Sequence, residues 1–93
     1  MTDTVPVRFE VRQVEPVHGC GKLVGLAVVA MDVAGVEVVL QGVQLVRDGS
    51  GTLTVKAPVW RHPGSGQWLP AVLLPDELRD AIGAEVLAVA GGG

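Results

Sequence analysis

The side chains of this sequence that could do chemistry are concentrated in one segment, residues 55–75. The segment contains both tryptophans and two of the seven basic residues, and it has no acidic residue. Tryptophan rings stack on nucleic-acid bases and arginine pairs with phosphate, which is how many proteins hold single strands. The candidate nucleic-acid contacts are therefore Lys56, Trp60, Arg61 and His62.

The tryptophans also have a structural interpretation. Trp60 stands at the start of a loop, where stacking on a ligand and burial at a sheet edge are equally good explanations. Trp68 alternates with the last predicted strand, so we interpret it as structural, because a buried tryptophan supplies a large share of core energy in a chain with 3% aromatic residues.

The overall charge limits what such a segment can bind. The chain carries a net charge of −3, whereas Lys56 and Arg61 give residues 53–73 a local charge of +2. Tight non-specific binding to nucleic acid needs many Lys and Arg contacts that release counterions. Any nucleic-acid contact is therefore expected to be local and weak.

The residues needed for catalysis or for a bound phosphate are missing. The only serines, Ser50 and Ser65, are each flanked by glycine, and no histidine is placed to activate either one. The run Gly19–Lys22 lacks the earlier glycine and the following Ser or Thr of a phosphate-binding loop. We expect neither an enzyme nor a small-molecule substrate.

A metal site is not expected either. His18, Cys20 and His62 are the only Cys and His residues, and no CxxC or HxxxH pair is present, whereas structural zinc takes four ligands. A single cysteine also allows no disulfide within the chain. The sequence predicts no metal and no cofactor.

The elements that position the 55–75 segment follow from hydrophobic periodicity. Alternation of apolar and polar residues, valine-rich runs and Gly-rich turns predict about five strands in an antiparallel meander. A stripe of Leu78, Ile82, Val86 and Val89 then predicts an amphipathic helix that begins at Pro75 and stops at the final glycines. The predicted strands are Val5–Val14, Leu23–Met31, Val36–Val46 with a bulge near Gly42, Thr52–Lys56 and Trp68–Leu73, with turns at Asp32–Gly35 and Asp48–Gly51. The fold class is α+β, in one domain spanning residues 1–93.

The strand Leu23–Met31 is apolar on both faces. Such a strand is normally covered on both sides, and one helix can cover only one. We therefore expect a homodimer.

No segment of the sequence has the character of a targeting signal or a membrane span. Residues 1–4 lack the basic region of a signal peptide, and the most apolar run ends at Asp32, well short of the roughly 20 residues that a spanning helix needs. A cytoplasmic protein without a membrane partner is the expectation.

The ordered turns and prolines resemble those of one known family. The pattern consists of Gly21-Lys22-Leu23, an aliphatic strand ending in Asp32, Val46–Gly51, Val55, Pro58, Arg61, Pro63, Gly66, Trp68 and Pro75. It is similar to the stage V sporulation protein G (SpoVG) family over roughly Val5 to Leu87. The resemblance implies an antiparallel sheet with a C-terminal helix, a homodimer, and a regulator linked to sporulation and cell division that binds DNA or RNA.

These observations lead to two hypotheses. The first is a SpoVG-like regulatory binding module that contacts DNA or RNA weakly through residues 56–68; the resemblance implicates Arg61 first, with Lys56 and His62 as weaker contacts. The second is a dimeric protein-interaction or assembly domain without nucleic-acid binding.

Overall fold

A computed structural model describes residues 7–92 of the chain as an α+β fold with one antiparallel sheet, a separate small hairpin and one helix. The main sheet has the order β1-β2-β3-β4, and β5 and β6 form a second sheet of two strands. The elements are β1 (Val7–Cys20), β2 (Leu23–Val33), β3 (Val36–Arg47), β4 (Leu53–Lys56), β5 (Val59–Arg61), β6 (Trp68–Pro70) and α1 (Asp76–Gly92). The predicted meander and C-terminal helix are confirmed.

The core lies between the helix and one face of the sheet. Ile82 and Val86 of α1 are 2% and 0% exposed, and they pack on a buried patch from β2 and β3. The patch consists of Ala27, Val29, Met31, Leu40 and Val43. Leu78 is half-buried and Val89 is 40% exposed, so the predicted stripe is fully buried only in the middle of the helix.

The helix ends differ slightly from the prediction. Pro75 lies just before α1, and its carbonyl oxygen accepts a hydrogen bond from the Arg79 amide at 2.9 Å. Proline is compatible with this position because the first helical turn leaves its amides without an intrahelical acceptor. At the other end the helix continues through Gly92 instead of stopping at the first glycine.

The strand β1 is longer than predicted. Val5 lies outside the described residues, and the strand does not stop at Val14 but continues to Cys20. The expectation that Pro16 would end the strand was wrong because β1 is an edge strand, where a missing amide breaks no ladder bond on the open side. The register with β2 shifts between Pro16 and Cys20, so the extension is irregular.

The predicted turns and bulge are present. Ala34 and Gly35 both have positive φ (53° and 85°), as a two-residue hairpin turn requires, and the Gly35 amide donates to Asp32 Oδ1 at 2.8 Å. Between β2 and β3 the register skips two residues of β3, Gln41 and Gly42, with Gly42 at φ 76°. This shift is the bulge expected near Gly42.

The last strands differ from the prediction. The sequence analysis placed Val59–Arg61 in a connection, but it forms β5, and β6 ends at Pro70 instead of Leu73. Residues 7–92 therefore contain six strands in two sheets, and the 55–75 segment is built around a hairpin of its own.

The second face of β2 has no covering layer among the described residues. Ala30 on this face is nevertheless only 7% exposed. The side chains of Arg12 on β1 and Glu37 on β3 join across β2 at 2.6 Å, and both line the same surface hollow as Ala30. Long polar side chains thus shield part of the apolar strand. The homodimer, which was expected because this face needed a cover, stays a prediction.

Candidate nucleic-acid interface

The hairpin β5–β6 carries most of the candidate residues. Its strands pair antiparallel, with Val59 opposite Pro70, Trp60 opposite Leu69 and Arg61 opposite Trp68. Ala71 N donates to Pro58 O at 2.8 Å and extends the ladder by one bond. Neither strand packs extensively on another strand or on the helix. The hairpin is therefore a projection from the sheet–helix body.

The pairing divides the hairpin into two faces. Directly opposed residues of an antiparallel pair share a face, and neighbouring residues point to opposite faces. Arg61 therefore shares one face with Trp68, whereas Trp60 shares the other with Leu69. The candidate residues do not form a single surface.

The first face combines a cation with an exposed ring. The guanidinium carbon of Arg61 lies 5.9 Å from the centroid of the Trp68 ring, within the range of a cation–π contact. Trp68 is 64% exposed. Among residues 7–92 no carboxylate lies within 4.0 Å of Arg61, since the ion pairs there involve only Arg12 and Arg79. The arginine is thus held beside an accessible aromatic ring and is not neutralised by a neighbouring acid.

The exposure of Trp68 corrects the sequence analysis. Its structural interpretation was wrong, because the ring is 64% exposed and does not belong to the hydrophobic core. The signal that could have revealed its position is the Gly- and Pro-rich run 62–67 between two short apolar stretches, which is typical of a hairpin loop. Closing that loop places Trp68 opposite Arg61.

The second face combines Trp60 with His62. Their ring centroids are 5.6 Å apart with an interplanar angle of 44°, and Trp60 is 43% exposed. The Nδ1 atom of His62 accepts hydrogen bonds from the amides of Gly64 (3.0 Å) and Ser65 (3.2 Å). His62 therefore holds the loop in shape, which leaves only Nε2 for a ligand.

The loop itself is tightly bonded. His62 N donates to Gln67 O at 2.8 Å, and Gly66 N donates to His62 O at 2.8 Å. A Cβ atom on Gly64 would lie 3.0 Å from His62 Cε1, so a larger residue there would have to displace the imidazole by a few tenths of an ångström. These bonds fix the spacing of the two strands and hence the position of Arg61 over Trp68.

Lys56 lies at the base of the hairpin and not on it. It ends β4 and pairs with Gln44 in the main sheet. It also lines a groove of about 510 Å³ between β4, the residues after β6 and the start of α1, together with Arg79 and Asp80. The structure therefore brings Trp60, Arg61 and His62 together in one hairpin and leaves Lys56 at its foot.

The two arginines near the hairpin, Arg61 and Arg79, differ in whether acidic residues lie beside them. At the start of α1, Arg79 lies 3.4 Å from Asp76 and 3.5 Å from Asp80. Because this arginine already has two acidic partners, it adds little positive potential. Arg61 is thus the main cation of the interface.

No protein-family model, curated protein or solved structure matches the chain. Within the part of the chain that the structure describes, no helix is long and apolar enough to cross a bilayer. The same residues contain no group of three or more His, Cys, Asp or Glu side chains arranged to hold a metal ion.

Proposed function

We propose that this chain is a cytoplasmic, SpoVG-like regulatory module that contacts DNA or RNA weakly through residues 56–68, which include Trp68. The observation that carries the proposal is the Arg61 guanidinium held 5.9 Å from the centroid of a tryptophan ring that is 64% exposed. The resemblance of the turn and proline pattern to the SpoVG family supports the same reading.

The chemistry of this pair suits an unpaired nucleotide. An exposed indole ring offers a stacking surface for any of the bases. Each such stack contributes roughly 1–3 kcal/mol to the free energy of binding. The neighbouring guanidinium can pair with the phosphate of the stacked nucleotide. One base and one phosphate per hairpin would give sequence-tolerant binding.

The proposed contact is weak for an electrostatic reason. The hairpin presents Arg61, and Lys56 lies at its base, whereas the whole chain has a net charge of −3. For single strands, each neutralised phosphate contributes about −0.7 to the slope of log K against log salt. We therefore expect a shallow salt dependence, between about −0.7 and −1.4 per chain for one or two phosphate contacts.

The test is a titration with short single-stranded DNA and RNA at several salt concentrations. Both tryptophans lie on the hairpin and the chain has no tyrosine, so intrinsic fluorescence reports on the hairpin alone. We expect oligonucleotides to quench this fluorescence at low salt, and we expect Arg61→Ala to lower the salt slope by about 0.7.

Arg47→Ala is the matched control, because it removes an exposed arginine from β3 and changes the net charge equally. If both variants lose the same affinity, bulk charge and not the hairpin governs binding, and the assignment of Arg61 is wrong.

A second candidate function is a dimeric protein-interaction or assembly domain. Apolar side chains next to the interface favour it, since Val59 is 41% exposed and Leu73 is 84% exposed. A complete lack of quenching by DNA and RNA at low salt would exclude the first proposal and leave this one.

A further inference from the structure

The strand β4 forms an open edge of the main sheet. It pairs only with β3, and among residues 7–92 no strand lies on its other side. The register between β3 and β4 has no shift, whereas the opposite edge strand, β1, has a bulge between Val11 and Gln13 and an irregular end after Pro16. Bulges interrupt the regular row of main-chain groups to which another strand can bind. The edge of β4 is therefore the more regular of the two edges.

Two hydrogen bonds of the neighbouring strand show which way the main chain of β4 faces. Arg47 N donates to Lys22 O at 2.8 Å, on the side of β2. Asp48 N donates to Thr52 O at 3.0 Å, on the side of β4. In an antiparallel ladder, every second residue bonds to the same neighbouring strand. The main chain of Thr52 therefore faces β3, and the residues that follow it alternate.

This alternation leaves part of β4 without hydrogen-bond partners. The main-chain groups of Thr54 and Lys56 face β3, and those of Leu53 and Val55 face away from it. Among the described residues, the two outward amides and the two outward carbonyls have no strand to bond to. They can form four main-chain hydrogen bonds with one added strand, which is how many extended peptides bind to a sheet edge.

A groove follows this edge between β4 and α1. It has two parts of about 310 and 510 Å³, which are continuous because they share the lining residues Thr54, Val55, Arg79 and Asp80. In the smaller part, Leu53 lies across from Ala84 and Leu87 of the helix. Leu53 and Leu87 are half-buried, and Ala84 is exposed. A strand added to β4 would therefore have the apolar side of the helix against one of its faces.

The edge and the groove specify the side chains that such a strand should carry. Directly opposed residues of an antiparallel pair share a face of the sheet. Val55 packs towards the core, so residues opposite Val55 and Leu53 lie on the helix side and should be apolar. Residues opposite Thr54 and Lys56 lie on the other face, where a carboxylate opposite Lys56 is favourable. In the antiparallel direction the pattern is acidic, apolar, polar, apolar.

We propose that the outer edge of β4 binds an extended segment of a partner protein with this pattern, as an antiparallel fifth strand of the main sheet. The outward main-chain groups hold the segment, and the groove beside α1 takes its apolar side chains. The proposal does not rest on the nucleic-acid function, because the binding groups belong to the main sheet and not to the hairpin.

The experiment is an NMR titration of the isotope-labelled full chain with the blocked synthetic peptide Ser-Glu-Val-Thr-Leu-Ser, without nucleic acid. Binding should protect the amides of Leu53 and Val55 from hydrogen exchange. The amides of Thr54 and Lys56 already bond to β3 and should change much less. A peptide with lysine in place of glutamate should bind up to about fivefold more weakly.

Leu53→Pro removes one outward amide without breaking a bond to β3, and proline is tolerated at the first residue of an edge strand. Leu53→Ala is the matched control, because it shortens the same side chain and keeps the amide. Leu53→Pro should bind the peptide roughly fivefold more weakly than Leu53→Ala.

A second pair of variants tests the groove. Ala84→Glu places a larger, charged side chain in the groove and should weaken peptide binding at least as much as Leu53→Pro. Ala88→Glu makes the same change at an exposed position of α1 that does not line the groove, and it should bind like the unmodified chain. Circular dichroism checks the folding of every variant, and this pair decides alone if Leu53→Pro is unfolded.

Four results would overturn the proposal. They are a lack of binding at millimolar peptide, protection of amides other than those of Leu53 and Val55, equal binding within either matched pair of folded variants, and protection of the two amides without peptide that grows with protein concentration. The last result would mean that a second copy of this chain covers the edge. Failure of oligonucleotides to quench the tryptophan fluorescence would leave the proposal unaffected.

Discussion

The sheet–helix body and the β5–β6 hairpin use their large apolar side chains in opposite ways. In the body, Ile82 and Val86 are almost completely buried, whereas in the hairpin Trp60 and Trp68 are 43% and 64% exposed. A buried tryptophan contributes a large share of the stability of a core. A chain with only 3% aromatic residues that leaves both tryptophans outside its core forgoes that stabilisation. The difference shows that the body provides the core, and it motivates the proposal that the hairpin is used for recognition.

The two regions nevertheless fix their loops by the same device. In the body, Asp48 Oδ1 accepts hydrogen bonds from the Ser50 amide, the Ser50 hydroxyl and the Thr52 amide. In the hairpin, His62 Nδ1 accepts from two loop amides. In each case the first residue of the loop supplies the acceptor, which compensates for the conformational freedom of the glycines.

The largest expected effect is a loss of stability when a core residue is truncated, compared with an exposed residue after the hairpin. Ile82→Ala removes a buried side chain from the core and should lower the free energy of unfolding by about 2–5 kcal/mol. Leu73→Ala removes a similar side chain that is 84% exposed after β6, and it should change stability by less than about 0.5 kcal/mol. Chemical denaturation followed by circular dichroism measures both.

Equal destabilisation by the two variants would contradict the comparison, because it would mean that the hairpin region is packed as tightly as the core.

The smallest expected effect concerns the Asp48 loop. The Ser50 hydroxyl, followed by the Thr52 amide, lowers the pKa of Asp48 below its ordinary value of 3.8. Because the folded pKa is the lower one, the ionised carboxylate stabilises the fold above pH 3.8, and this contribution is lost as the pH falls through the folded pKa. Asp48→Asn should therefore have a lower melting temperature than the unmodified chain at pH 7. The difference between the two melting temperatures should become smaller towards pH 2.

Ser50→Ala is the matched variant, since it removes the main cause of the lowered pKa and should make the melting temperature less dependent on pH. If the difference in melting temperature between Asp48→Asn and the unmodified chain stays constant from pH 7 to pH 2, the ionised carboxylate does not stabilise the loop.

The hydrophobic pattern was enough to predict β2, β3 and α1. The apolar run of β2, the bulged strand β3 and the stripe of α1 each bury at least one face, so burial determines where their apolar residues occur. The length of β1 could not be predicted in this way. Pro16 and Gly19 normally end a strand, and only the position of β1 at the sheet edge lets it continue.

The hairpin was harder to predict because its strands are short and exposed. A strand such as Val59–Arg61 is too short to show a period, and no buried face constrains its residue types. The sequence did point to Trp60, Arg61 and His62, because their residue types stand out in an acidic, aliphatic chain. The pairing of Arg61 with Trp68 depends on where the loop closes, and composition does not contain that information.

The central claim is that the Arg61–Trp68 face of the hairpin binds nucleic acid. It is tested most directly by replacing each tryptophan separately with alanine. The measurement is the anisotropy of a labelled single-stranded oligonucleotide at low salt, titrated with the unmodified chain, Trp68→Ala and Trp60→Ala. Loss of one base stack should weaken binding by Trp68→Ala about fivefold to one-hundredfold. Trp60→Ala, on the opposite face, should bind nearly as well as the unmodified chain. Equal weakening by both variants, or weakening by Trp60→Ala alone, would contradict the account.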